Sequence, residues 1–279
     1  MKPYLKISKK PSRVVLGSVL LMAMFPVGLG GQALEQVSEW VKLSNYNAAF
    51  KVLDRDPDRS ESPEKLFLYG LSSWHRTPPS TGNLAAAKDA FRTLIERYPE
   101  SKLAPYAKLQ LGRIFEVRDF QDDTIDAPEA RRWYKALVES SENDWLRAEA
   151  TLRLAGSYFQ EITNEEAILK GISITENWLE ENPSHPLATL FHETLGGVFI
   201  TLVQDDARAL EHLLEADRLG LADPTISLYP TYWRIARLAE KTGRKSTAIR
   251  YYTKLTERES SGLVYSAEKA ILRLKEEAE

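Results

Sequence analysis

The fold is decided by residues 87–112, which read AKDAFRTLIERYPESKLAPYAKLQLG. Within this stretch a small residue, a larger one, a proline and a glycine follow one another at intervals of four, eight and thirteen: Ala87, Phe91, Pro99 and Gly112. The same intervals recur 84 residues downstream: Gly171, Thr175, Pro183 and Gly196. A weaker copy begins between them, at Ala130 and Tyr134. A period of about 42 residues indicates helix pairs stacked in series.

A small residue in the second helix of each pair aligns the repeats. It recurs at intervals of 38, 43, 41, 38 and 39 residues: Ala49, Ala87, Ala130, Gly171, Ala209 and Ala248. A small side chain lets two helix backbones approach closely, and the residue four positions later lies on the same face and fills the space beside it. The sequence therefore predicts an all-α array of about six helix hairpins over residues 34–279, closed by a capping helix over residues 263–277.

Helix boundaries follow from prolines and capping residues. Pro63, Pro105 and Pro186 are expected to open the first helices of three pairs, because proline suits the first helical turn. Asn83 is expected to cap the second helix of the second pair. No stretch shows the sustained alternation of apolar and polar residues that is typical of a strand.

Residues 1–33 have the layout of a secretory signal peptide. Five Lys and Arg residues precede an apolar run over residues 14–25, and Gly31 and Ala33 supply the small residues of a cleavage site. We expect cleavage after Ala33 and export of the body to the periplasm or cell envelope. An uncleaved membrane anchor is the alternative, although the apolar run is shorter than the roughly 20 residues of a spanning helix.

Composition excludes several classes of partner and chemistry. Residues 1–33 hold five of the 37 Lys and Arg and none of the 40 Asp and Glu, so the remainder carries a formal charge of −8. An acidic body argues against nucleic acid and against a broad anionic lipid surface, which leaves only the N-terminal segment for membrane contact. The absence of cysteine excludes disulfides, thiolate metal sites and a cysteine nucleophile.

The sixth helix pair resembles the tetratricopeptide repeat (TPR). The residues that carry this resemblance are Tyr232, Ile235, Ala236, Ala239, Gly243, Ala248, Tyr252 and Leu255. The second pair is similar too, through Ala87, Phe91 and Pro99, and residues 97–112 look like a longer subclass. That subclass occurs in bacterial envelope proteins such as the outer-membrane assembly lipoprotein and the Tol–Pal coordinator. The resemblance implies a right-handed solenoid whose first helices line a concave groove that binds a protein or peptide; a lipid anchor is not implied, because cysteine is missing.

Candidate catalytic and metal-binding residues do not form recognisable motifs. His192 with Glu193, and His212 with Glu215, do not fit the helical zinc motif, which needs a second histidine four residues after the first. Asp122, Asp123 and Asp126 lack the glycine and closing glutamate of a calcium loop, so we expect a solvated acidic loop. We predict no catalytic, cofactor or metal site.

The groove of the TPR-like array is the predicted binding surface. Its expected lining residues are Glu64, Phe67, Leu71, Trp74, Tyr106, Leu109, Arg113, Glu116, Leu152, Phe159, Leu190, Glu193, Trp233, Arg237 and Glu240. Several of these could instead belong to the seam between helices. Because aromatic and arginine side chains dominate binding hot spots, we predict partner contacts from Tyr106, Arg113, Trp233 and Arg237.

The alternative function is that of an enzyme, or an enzyme's helical accessory domain, acting on cell-wall glycan. Glycan hydrolysis needs two carboxylates at a set separation across a cleft. Glu116 and Glu193 are the two groove acids that could serve, but no feature of the sequence pairs them.

Overall fold

The computed structural model describes residues 32–120, 123–220, 229–257 and 262–277. Within these ranges the chain forms 13 α-helices and no strand, so the predicted all-α class is confirmed. The predicted signal peptide or anchor lies outside the described residues, except for Gln32 and Ala33, which begin the first helix. None of the helices in the described part has the length and apolarity needed to cross a bilayer.

The chain divides into two compact units, residues 1–137 and 138–279. The first unit holds α1 (Gln32–Lys42), α2 (Tyr46–Leu53), α3 (Pro63–His75), α4 (Thr81–Arg97), α5 (Ala104–Glu116) and most of α6 (Ala127–Ser140). A short 3-10 turn, Arg59–Glu61, precedes α3. Each helix from α1 to α4 packs on the next along the chain, as predicted for serial hairpins.

The second unit continues the same scheme. It holds α7 (Asp144–Phe159), α8 (Glu165–Glu181), α9 (Ala188–Val198), a π-helical turn (Phe199–Val203), α10 (Asp206–Leu219), α11 (Tyr229–Lys241), α12 (Lys245–Thr256) and α13 (Val264–Glu276). Helices α7 and α8, α9 and α10, and α11 and α12 form pairs, and α13 packs on α12. The predicted closing helix is therefore present. The sequence did not predict the π-helical turn.

Small residues are the points where paired helices meet. All six small residues that aligned the repeats are buried, and so is the residue four positions after each of them. A methyl group added at Gly70 in α3 would lie 2.6 Å from Cε1 of Phe91 in α4, far inside contact distance. Gly112 meets the ring of Tyr134 in the same way. The glycines are thus required by the close approach of the two helices.

Polar side chains at the helix N-termini set where the helices begin. Ser62, Ser80, Asn143, Asn164 and Asp205 each accept a hydrogen bond from a backbone N–H of the first turn. These bonds satisfy donors that have no partner within the helix.

Two predicted helix starts were wrong by two or three residues. Helix α4 begins at Thr81 instead of after Asn83, because the Ser80 hydroxyl accepts the Asn83 N–H at 3.2 Å. Helix α9 begins at Ala188 and not at Pro186, because Nδ1 of His185 accepts the Leu187 N–H at 3.1 Å and stabilises a turn there.

The neighbouring glycines of α9 provide a direct test of this packing. A methyl group added at Gly196 would lie 2.7 Å from Cγ of the buried Leu213, whereas one added at Gly197 meets nothing within 4 Å. Gly196→Ala should therefore destabilise the protein by about 1–3 kcal/mol through overpacking. Gly197→Ala should stabilise it by about 0.5–1 kcal/mol, because alanine loses less backbone entropy in a helix.

The measurement is urea unfolding followed by circular dichroism, with both variants compared with the wild type. Equal effects of the two substitutions would contradict the assignment of Gly196 to the contact between α9 and α10.

Candidate functional site

Two of the predicted contact residues lie on α5 in the first unit. Tyr106 is half-buried. Arg113 is half-buried too: its guanidinium lies 5.5 Å from the centre of the Trp74 ring and donates to Oε1 of Gln110 at 3.4 Å. Arg113 and Trp74 therefore already contact each other, and Arg113 presents only part of its surface to a partner.

The loop after α5 is more ordered by hydrogen bonds than the sequence predicted. The indole N–H of Trp74 donates to Asp119. The buried carboxylate of Asp123 accepts the backbone N–H groups of Asp119 and Thr124 at 3.0 and 2.9 Å. The expectation of a fully solvated loop was wrong at Asp123, because its carboxylate replaces water as the acceptor for these backbone groups; Asp122 lies outside the described residues.

Several other predicted groove residues belong to the helix seam. Phe67, Leu71 and Leu109 are buried in the first unit, and Phe159 is almost fully buried in the second. Phe67 packs edge-on against Phe91, with ring centres 5.7 Å apart. These side chains hold the helices together and leave little surface for a partner.

A tyrosine-to-glutamate hydrogen bond recurs in two helix pairs. The Tyr134 hydroxyl donates to Oε2 of Glu116 at 2.6 Å, and the Tyr252 hydroxyl donates to Oε2 of Glu240 at 2.9 Å. Each glutamate lies at the end of the first helix of its pair, and each tyrosine is fully buried in the second. Glu116 and Glu240 thus accept structural hydrogen bonds, although the sequence suggested them as groove acids.

The bond between Tyr252 and Glu240 contributes to pKa shifts of both groups. Burial raises the pKa of Tyr252 to about 12, and the neighbouring Glu240 adds to this effect. Burial also raises the pKa of Glu240, but hydrogen bonds from Arg273 and Tyr252 outweigh it and hold that pKa below its ordinary value. Glu240 is therefore ionised at neutral pH.

Trp233 and Arg237 line an open groove between α11 and α13, which we call the α11–α13 groove. Its volume is about 470 Å³. Its lining residues are Trp233, Arg237, Tyr252, Ser266, Lys269, Ala270, Leu272, Arg273 and Glu276. Trp233 is half-buried and packs edge-on against Tyr252, with ring centres 5.4 Å apart, whereas Arg237 is exposed. The structure thus brings these two predicted contact residues together.

Of the three cationic side chains that line this groove, one forms ion pairs with carboxylates of the described residues. Arg273 donates to Glu240 at 2.7 Å and to Glu277 at 3.2 Å. Among the described residues, no ion pair joins Arg237 or Lys269 to a carboxylate. The Lys269 ammonium lies over the Tyr265 ring at 4.6 Å. Two cations are therefore available to an acidic ligand.

A second open groove lies on the other side of α11, and we call it the α9–α11 groove. Its volume is about 450 Å³. Its lining residues are Phe159, Thr194, Gly197, Val198, Ile200, Thr201, Leu202 and Arg234. Most of its walls are apolar, and Arg234 supplies its only charge among the described lining residues. Helix α11 thus presents Arg234 to one groove and Arg237 to the other.

Two histidines meet between α9 and α10. Nδ1 of His192 lies 3.0 Å from Nδ1 of His212, and both rings are half-buried. Sequence analysis missed this pair because the residues are 20 positions apart on different helices. Among the described residues, no group of three or more potential ligands could hold a metal ion.

Comparisons with known proteins identify one repeat and no close relative. A model of the family described as Tetratricopeptide repeat matches residues 66–101, which cover α3 from Leu66 and all of α4. The α3–α4 pair matches a tetratricopeptide repeat. The match falls on the second pair, one of the two in which the sequence showed the resemblance. No curated protein matches the chain.

Two solved structures are similar over most of the chain. One is "Assembly Chaperone of RpL4 (Acl4)", residues 1–338, with 15% identity, a TM-score of 0.47, and coverage of 88% of this chain and 97% of the other. The other is TTC0263, a thermophilic TPR protein of Thermus thermophilus, with 18% identity, a TM-score of 0.27, and coverage of 86% and 97%.

Tyr252→Phe tests the recurring hydrogen bond. The substitution removes a donor to an ionised carboxylate and should destabilise the protein by about 1.5 kcal/mol. Because the pKa of Glu240 is lowered in the folded state, the contribution of this carboxylate is present above its ordinary pKa of 4.5 and is lost as the pH falls through the folded value. The difference from wild type should therefore shrink in acid.

The matched control is Tyr265→Phe, whose side chain is 64% exposed. It should change the stability by less than about 0.5 kcal/mol. Urea unfolding at neutral and acid pH gives both values, and equal effects of the two variants would show that the Tyr252 hydroxyl contributes nothing.

Proposed function

We propose that this protein is a non-catalytic, TPR-like scaffold that binds an acidic segment of a partner protein along α11. The observation that carries the proposal is the α11–α13 groove, where Arg237 and Lys269, which form no ion pair with any carboxylate of the described residues, lie beside exposed apolar surface. Leu272 in this groove is 62% exposed, and Trp233 is half-buried. Large apolar side chains that remain accessible beside charged residues are typical of a protein-binding surface.

Charge decides what kind of segment this groove fits. Three of its lining residues are cationic and one, Glu276, is anionic. Arg273 is partly neutralised by Glu240, which leaves Arg237 and Lys269 to meet carboxylates. An acidic segment would gain charge-assisted hydrogen bonds from these two residues, and an apolar side chain of the same segment would cover Leu272 and Trp233.

The neighbouring α9–α11 groove suits the continuation of the same segment. Its walls are mainly apolar, and Ile200 and Leu202 are the half-buried apolar side chains that a partner could cover. A segment that crosses α11 would therefore place acidic residues on one side and apolar residues on the other. Because both grooves are formed by packed helices, binding would require little ordering of the scaffold.

Nothing in the described residues favours the alternative of a glycan-acting enzyme. Glycosidases need two carboxylates that face each other across a cleft. Glu116 is engaged by the buried Tyr134, and Glu276 is the single acidic residue among the described lining residues of the α11–α13 groove. These arrangements support recognition as the activity of the protein.

Synthetic peptides test the proposed binding. Two fluorescently labelled peptides share one leucine-containing core, and their flanking residues are all aspartate in one and all lysine in the other. The acidic peptide should bind, and the double variant Arg237→Ala/Lys269→Ala should weaken its binding about a hundredfold, since each of the two lost charge-assisted hydrogen bonds contributes about 1.5 kcal/mol. Added salt should weaken wild-type binding as well. Fluorescence anisotropy measures both effects.

Two matched variants serve as controls. Arg234→Ala removes a cation from α11 that faces the other groove, and Lys275→Ala removes an exposed cation from α13 that does not line the groove. The Lys275 variant should bind the acidic peptide as the wild type does, and the Arg234 variant should lose much less than the double variant. Equal binding of the two peptides, or equal losses in all variants, would contradict the proposal.

We further propose that the protein acts outside the cytoplasm, because residues 1–33 have the composition of a signal peptide. N-terminal sequencing of the protein from fractionated cells should give Leu34 as the first residue in the periplasmic or envelope fraction. A chain that retains residues 1–33 in the membrane fraction would support the anchor alternative. Full-length protein in the cytoplasm would contradict export.

A further inference from the structure

The contact between His192 and His212 requires that at least one of the two rings be neutral. At an Nδ1–Nδ1 distance of 3.0 Å, one nitrogen must donate a proton and the other must accept it, so at most one of the rings can be positively charged. Protonation of both rings would place two donors and two positive charges at this distance. The contact would then become repulsive, and the partial burial of both rings would limit screening by water.

The histidine pair contacts Phe199, which immediately precedes residues that form a wall of the α9–α11 groove. The His212 ring stacks on Phe199 with ring centres 5.5 Å apart and planes 8° apart. Phe199 begins the π-helical turn, and the next residues of that turn, Ile200, Thr201 and Leu202, line the groove. Backbone of this kind is an interruption of regular helix that is frequent at functional sites. A displacement of His212 would therefore act on the groove through a single intervening ring.

The charged groups around the pair are themselves mostly in ion pairs. Glu215 and Arg218 act on His192, and they pair with each other at 2.8 Å. Arg208 and Glu211 act on His212. From α8, Glu176 pairs with Arg208; from the turn before α12, Arg244 pairs with Glu211. Opposite charges thus largely balance on each side. Burial is therefore the main influence on the proton affinity of His192, and burial followed by the His192 ring is the main influence on that of His212.

Both histidines bind protons more weakly in the folded protein than in an unfolded chain. Burial lowers the pKa of His192. Burial, followed by the neighbouring His192 ring and Arg208, lowers the pKa of His212 to about 4. A group whose folded pKa is lowered in this way stabilises the fold above its ordinary pKa of 6.5, and the contribution is lost as the pH falls below that value towards 4.

We propose that the His192–His212 pair is an acid-sensitive latch, which holds α9 against α10 near neutral pH and loosens the π-helical turn, and with it the α9–α11 groove, when both rings are protonated. The latch would regulate the same surface that we assign to partner binding, so its biological meaning rests on that proposed function. Partner affinity would fall in mildly acidic surroundings because the apolar wall of the groove is no longer held in place.

Hydrogen–deuterium exchange of the full chain without any partner tests the latch. After correction for intrinsic rates, residues 190–204 should exchange several-fold faster at about pH 5 than at about pH 7.5, within the window set by the two histidines. His192→Asn should weaken this acid response markedly, because its amide can still pair with Nδ1 of His212 but cannot be protonated. The matched control is His75→Gln, a change to a histidine of the first unit that should leave the response intact.

Two results would overturn the latch: wild-type exchange that does not accelerate in acid at these residues, or an acceleration in His192→Asn that is as large as in the wild type. Nuclear magnetic resonance titration of the wild-type imidazoles provides a second measurement that does not depend on any variant. His192 and His212 should titrate below the ordinary range, and titration of both near 6.5 would also overturn the proposal. Since no partner is present in either experiment, failure here is distinct from failure of the peptide-binding proposal.

Discussion

The close approach of two helices at a small residue is the constraint on which the rest of the structure depends. Gly70 lies under Phe91, Gly112 under Tyr134, and Gly196 under Leu213. Because each of these glycines has no side chain, the ring or branched side chain of the neighbouring helix can reach the backbone at that point and fill the interface. Because each hairpin buries its apolar surface in this local way, packing between neighbouring helices stabilises a chain that contains no cysteine and therefore no disulfide.

This packing also determines what remains at the surface. Bulky residues of the second helices are buried in the seams between helices. The Tyr252 hydroxyl donates its hydrogen bond to Glu240 and is not available to a partner. The side chains left over on the first helices, above all Arg237 and Trp233, form the grooves of the second unit. The proposed binding surface thus consists of side chains that the seams leave exposed, and the histidine pair lies where a seam and the α9–α11 groove share one wall.

Sequence periodicity was sufficient for the helix pairs but not for the sites. Ala87 and Phe91 are four positions apart and therefore lie on the same face of one helix, so their spacing predicted the seam correctly. The direction in which a helical side chain points was harder to predict. Phe67 was assigned to the groove but lies in the core. An error of one position in the phase of a helix turns a side chain by about 100°, which is enough to move it from one face to another. The contact between His192 and His212 joins two helices, and no short-range sequence pattern relates these two residues. The π-helical turn was missed for the same reason, since its residues alone resemble ordinary helix.

A double-mutant cycle between Gly70 and Phe91 tests the central claim most directly. The variants are Gly70→Ala, Phe91→Leu and the combination of the two, and urea unfolding gives the free energy of unfolding of each. The smaller leucine should make room for the added methyl group, so the combined loss should be smaller than the sum of the single losses by about 0.5–3 kcal/mol. Strict additivity of the two losses would show that the glycine and the ring do not depend on each other, and it would contradict the account.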